Sequence, residues 1–292
     1  MSSSVIHDLG FRHYDGDRLG RSWKFRSLMV ETLRGIFGLG RPAKSKVMPW
    51  LLATFMFAPA LVSTIVLFVA GSGEHLFDYR AYAMNMAFII TLFVAARAPY
   101  AVSRDLRDGT MPLYLSRPVT YGDYVWAKFT AMTIATFMII AAPITVMFIT
   151  AVLAELPWGE NLGAWAGGLM VALFVAMLLS AISLAIAAVT PRRGLGIAAI
   201  AASLMIVGAI ALILVEPYGP TGDLAITPYL GAVDPYLLVN GIAVAFFESP
   251  GWEGLPTATD AGSGLIFLGL YAVIVSTCVA VLMRRYQKVG GA

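Results

Sequence analysis

Charge is scarce in this sequence. Asp, Glu, Lys and Arg make up 13% of its 292 residues while apolar residues reach 59%, against a charged share of about a quarter in soluble domains. That balance excludes an ordinary soluble fold and points to an integral membrane protein. Cysteine is nearly absent: the single thiol, Cys278, lies in the last apolar run, so no internal disulfide can form and a packing role is read. The three histidines, His7, His13 and His75, sit in the N-terminal arm and one polar connection, without the paired spacing of a metal site or metalloprotease helix. Ser72 lies near His75, but a nucleophile also needs an oxyanion site held by structure, and no catalytic constellation is read.

A phosphate-binding loop is also missing. Residues 38–45, Gly-Leu-Gly-Arg-Pro-Ala-Lys-Ser, imitate one, yet Ala43 replaces the glycine before Lys44-Ser45, Pro42 removes an amide donor, and a helix rather than a strand precedes. The stretch reads as a basic turn, so the chain is not expected to hydrolyse ATP or hold any cofactor. Methionines 84, 86, 132, 138 and 147 lie in apolar runs, but without Cys or His at helical spacing they read as gap-fillers rather than copper ligands.

What is present is apolar length. A membrane-spanning helix needs about 20 mostly apolar residues, and six runs qualify: 48–70, 81–101, 127–153, 164–189, 195–215 and 263–283. The expected fold class is therefore an all-α integral membrane protein with six transmembrane helices. No ionisable group lies well inside these runs, which disfavours a proton- or ion-coupled carrier. Their polar residues, among them Asn85, Thr64, Thr91, Thr133, Thr136, Thr145, Ser180 and Ser183, suit contacts between helices. Ala176, Ser180, Ser183 and Ala187 form a stripe for close helix approach. Pro59 and Pro143 predict mid-span kinks.

Basic flanks are retained on the cytoplasmic side of a membrane, and the cations are sharply sorted. Of 20 Lys and Arg, nine precede the first run, five lie in 97–128, two are Arg192 and Arg193, and three are Arg284, Arg285 and Lys288; only Arg80 falls elsewhere. The opposite connections carry ten acids, from Glu74 to Asp260. Both termini are thus expected in the cytoplasm. The net charge of +3 follows from this segregation and implies no nucleic-acid partner. The first 47 residues are too polar for a secretory signal, so the first span is expected to act as an uncleaved membrane signal.

Residues 1–47 are read as a cytoplasmic arm followed by an amphipathic helix. Phe25, Leu28, Met29, Leu33, Ile36 and Phe37 recur at helical spacing, which suits a helix in the inner membrane interface. Residues 48–292 form the six-span domain. Its outer loop 216–262 contains Asp234-Pro235, a helix cap followed by a first-turn proline. About 12 apolar residues follow, too few to span, and are expected to form a short re-entrant or surface helix.

The connection 97–128 is the most specific stretch. Arg104 and Asp108 stand four apart on a helical continuation of the second span, Gly109 breaks it, and Thr110 can cap a short helix containing Tyr114. Arg117 and Pro118 turn the chain, and Thr120 with Asp123 resembles a capping box opening the third span. A short helix across the membrane normal, suited to docking, is the expected product.

These residues carry a resemblance. Asp105-x-x-x-Gly109-Thr110, then Leu115-Ser116-Arg117-Pro118-Val119, then Tyr124-x-x-Ala127-Lys128 is similar to the signature of the permease subunits of bacterial ABC-2 type exporters. The six-span pattern, amphipathic helix and long last outer loop agree with it. The N-terminal arm 1–21 does not match the family's general pattern. The resemblance implies a multi-pass plasma-membrane protein forming a dimer with an identical or related permease, above two separate ATPase subunits that bind ATP and Mg. It implies that Arg104, Asp105, Asp108, Gly109, Thr110, Tyr114, Arg117 and Pro118 form the ATPase-coupling interface. An export substrate such as a lipid, amphiphilic drug or peptide is expected. The competing reading is a non-transporting membrane anchor or assembly factor that docks a cytosolic protein.

Overall fold

Long apolar runs leave a backbone little choice: in lipid every amide must be satisfied within the chain, and a helix does so locally. The computed structural model describes residues 20–71, 73–102, 120–190, 192–215, 226–252, 255 and 260–290, and every regular element among them is helical. The order is α1 (Arg21–Ile36), α2 (Lys44–Ala70), α3 (Tyr82–Asn85), α4 (Ala87–Ala101), α5 (Tyr121–Leu153), α6 (Trp158–Val189), α7 (Arg193–Val215), α8 (Thr227–Leu230), a 3-10 turn (Gly231–Val233), α9 (Pro235–Phe247) and α10 (Ala261–Gly290).

Five helices, α2, α5, α6, α7 and α10, are long and apolar enough to cross a membrane. The second apolar run differs from the expected single helix. It breaks at Met86 into the one-turn α3 and a 15-residue α4, which rises only about 22 Å against a hydrocarbon core of about 30 Å. The break coincides with two tyrosine anchors. Tyr82 donates its hydroxyl to the Met56 carbonyl, and Tyr236 donates to the Ala87 carbonyl at 2.8 Å.

Helices α5 and α6 pack along each other, with α4, α9 and α10 against α6 and with α2 against α5. The buried centre includes Phe93, Met132, Ile140, Leu178 and Leu184. The stripe Ala176, Ser180, Ser183 and Ala187 is fully buried. Helix α6 is the most buried of the long helices and α7 the least, and α7 directs Met205, Ile206 and Ile213 outward. Those exposed side chains are compatible with lipid or another helix.

The expected short helix of the last outer loop is α9. Asp234 caps it, accepting from the Leu237 amide at 3.0 Å, with Pro235 in the first turn. It is buried against α10 and α6. The approach is close enough that a β-carbon on Gly241 would meet the Phe267 ring at 2.6 Å.

The amphipathic helix is α1, and its apolar stripe faces protein. Leu28 and Ile36 are buried, with Phe25, Met29 and Leu33 packed on the core, because α1 lies across α5 and α4. Each large apolar side chain fully withdrawn from water contributes roughly 1.5–3 kcal/mol, so the stripe holds α1 to the bundle. The basic turn after it uses Gly38 at φ +71, where a β-carbon would strike the Ser45 carbonyl at 2.7 Å.

Candidate functional site

The residues expected to form the interface, Arg104, Asp105, Asp108, Gly109, Thr110, Tyr114, Arg117 and Pro118, lie outside the described residues. The structure instead describes the two roots of that connection, where α4 ends at Ala101 and where α5 begins after Thr120.

The α5 root is built as the spacing predicts. Thr120 accepts from the Asp123 amide at 3.2 Å, and Asp123 accepts from the Thr120 amide at 3.3 Å, a reciprocal capping box. Arg21, the first residue of α1, closes over it. Its Nε donates to both Asp123 oxygens at 2.9 Å and its Nη2 reaches Thr120 Oγ1 at 3.4 Å. The guanidinium is largely exposed, so water screens the pair and its value is geometric more than energetic.

The α4 root is held from three sides. Tyr100 lies so close to α1 that a β-carbon on Gly35 would meet its hydroxyl at 2.8 Å. Arg41 stacks over the Tyr100 ring, 4.6 Å from the centroid. Pro99 abuts Gly196 at the start of α7. Arg97 is inside α4 and only 5% exposed, and Lys128 inside α5 is 7% exposed. The two cations that bound the connection are thus drawn into the protein.

A buried side chain of α10 touches both roots. Tyr286, fully buried near the end of α10, packs its ring 4.9 Å from that of Tyr124 in α5, and its hydroxyl approaches the Val102 carbonyl at 3.5 Å. Sequence reasoning missed Arg21, Tyr100 and Tyr286. Their partners are distant in the chain, Arg21 and Asp123 by 102 positions and Tyr286 and Val102 by 184, and no local pattern announces such pairs.

The opposite end of the bundle gathers the acidic connections. Arg80, the one cation there, donates to both Asp78 oxygens and to the Phe247 carbonyl at 3.0 Å, so it closes the C-terminal end of α9. His75 lies between α2 and α5. Its Nε2 is 2.8 Å from the Met147 carbonyl and must donate there, leaving Nδ1 to accept from the Ser63 hydroxyl at 3.1 Å. Ser63 in turn accepts from the Leu76 amide. Burial lowers the His75 pKa, against the opposing pull of the Met147 carbonyl. Burial also pushes Asp234 up to about 6, although the amides of Leu237 and Tyr236 draw it back.

A family model described as ABC-2 family transporter protein matches residues 59–286. The match takes in both roots and Tyr286 and leaves α1 outside. No curated protein matches the chain.

Proposed function

The chain belongs to the ABC-2 transporter family, and from that premise we propose that it is the permease subunit of an ATP-driven exporter, moved by separate ATPase subunits acting through 97–128. The family and the long apolar helices make it a multi-pass membrane permease of an ABC transporter. The further elements are our reading: a dimer with an identical or related permease, two ATPases beneath it, and location in a bacterial plasma membrane with the basic end in the cytoplasm. An apolar interior favours a lipid, amphiphilic drug or peptide as substrate.

The observation that carries this reading is the shared anchoring of the two roots. Tyr286 links Val102 and Tyr124, and Arg21 fastens α1 to the same helix start. A force applied to the connection would therefore reach α4, α5, α10 and α1 together. ATP binding can drive such a movement only if the ATPase prefers one permease conformation, because a partner with equal affinity for both shifts nothing.

The test is purification from native membranes followed by reconstitution with and without the ATPase recovered. ATP-dependent substrate movement that needs both components is the expected result. Transport by the chain alone would refute the reading, and ATPase binding without substrate-stimulated turnover would favour a membrane anchor.

A further inference from the structure

We propose that a cavity at the basic end binds the phosphate-bearing headgroup of an anionic phospholipid, with the acyl chains lying along α2. The cavity has a volume of about 710 Å3, within the range of small-ligand sites. One wall is the exposed face of α1, opposite its apolar stripe, which presents Trp23, Arg26 and Arg34. The turn into α2 adds Arg41 and α5 adds Lys128.

Among the described lining residues three arginines, Arg26, Arg34 and Arg41, stand with Lys128 against one acid, Glu31. Two of the cations are held by rings: Arg41 over Tyr100 and Lys128 Nζ 5.2 Å from the Tyr124 centroid. A ring positions a cation without cancelling its charge. Lys128 is 7% exposed and forms the inner part of the wall, while the exposed arginines Arg26, Arg34 and Arg41 stand where an entering anion meets them first. Guanidinium groups supply the forked donors that match phosphate oxygens.

The surroundings favour a lipid over a soluble anion. The turn carrying Arg41 leads within the first two turns of α2 to Val47, Met48, Trp50 and Leu51, all exposed. Exposed Trp23 and Trp50 are the side chains that settle at a membrane interface. Basic pockets at the cytoplasmic ends of membrane helices suit anionic headgroups of the inner leaflet. This inference rests on the assignment of the basic end to the cytoplasmic side and is independent of ATP coupling.

The test uses the full chain in neutral detergent and follows its thermal midpoint with dioleoylphosphatidylglycerol, dioleoylphosphatidylcholine or inorganic phosphate. A saturable rise with phosphatidylglycerol alone is expected. Replacing Arg26→Gln, Arg34→Gln and Arg41→Gln together should raise the half-saturating lipid concentration at least tenfold, and Arg26→Gln with Arg34→Gln several-fold should the triple variant misfold. Arg284→Gln with Arg285→Gln, exposed cations on α10, should change nothing. Equal losses in both sets would reduce the effect to general charge and overturn the site. A full response to inorganic phosphate would make it a soluble-anion site. Loss of the ATPase on purification with the lipid response retained would make it a protein-docking surface.

Discussion

The two ends of the bundle are assembled on different terms. At the acidic end three buried or half-buried groups are answered within the chain: Arg80 by Asp78 and the Phe247 carbonyl, His75 by Ser63 and Met147, Asp234 by the amide it caps. At the basic end a few long-range contacts hold the roots of one connection, while Arg26, Arg34 and Arg41 face outward around a cavity. The first arrangement ties α2, α5 and α9 together through local and long-range pairs. The second fixes a frame around a basic cavity, at the end where we propose that the ATPase and a charged membrane surface meet the permease.

Substitutions can break or sharpen that contrast. The largest effect is expected from Tyr286→Ala, which empties a fully buried site between α4 and α5 and costs about 3–5 kcal/mol. Thermal unfolding should show the loss, and ATP turnover in the assembled complex should fall with it. Tyr286→Phe, which keeps the ring contact with Tyr124, should retain most of both. If Tyr286→Ala lowers stability but leaves turnover at wild-type level, the roots are not a mechanical link.

Next in size is Asp234→Asn. A folded pKa of about 6 against an unfolded value near 3.8 means that the folded protein binds the proton more tightly. Stability from this group is therefore highest below about pH 4 and is lost as pH rises through about 6. A shift of that size corresponds to roughly 2–3 kcal/mol. Asn also caps helices well, so the variant should gain over wild type at pH 8 and lose that advantage by pH 4. His75 acts in the opposite direction, with stability present above its unfolded value near 6.5 and lost as pH falls through its lowered folded value. Because His75 is common to both proteins, the difference between their midpoints isolates Asp234. A gap that does not change with pH would remove the buried-carboxylate account.

Arg80→Met should cost about 1–3 kcal/mol by leaving the Phe247 carbonyl without its donor and Asp78 with only the residue-80 amide. It should leave ATPase association untouched, since the damage lies at the other end. Loss of the ATPase in this variant would erase the distinction between the ends. The smallest effect is expected from Thr120→Ala, about 1 kcal/mol for a lost cap, read as a lower midpoint and faster amide exchange in the first turn of α5.

Local chemistry made much of this visible in the sequence. The Thr120 and Asp123 box, the Asp234 cap with Pro235, the short α9 and the apolar stripe of α1 each depend on residues within a few positions of one another. What α1 packs against was not legible, because a 3.6-residue period marks a buried face without naming its cover. The helix break at Met86 was equally hidden, since hydropathy reports apolar length and not the Tyr236 hydroxyl that arrives from 149 positions away. Arg80 stood out as a misplaced cation by counting alone, and its role appeared only when α9 returned beside it.

The central claim is that 97–128 transmits ATPase motion to the permease. It is tested most directly by measuring substrate-stimulated ATP turnover in the reconstituted complex carrying Arg104→Glu and Asp108→Arg. The account predicts that substrate stimulation falls at least tenfold while the thermal midpoint of the permease stays unchanged. Turnover and substrate movement at wild-type rates in that complex would contradict it.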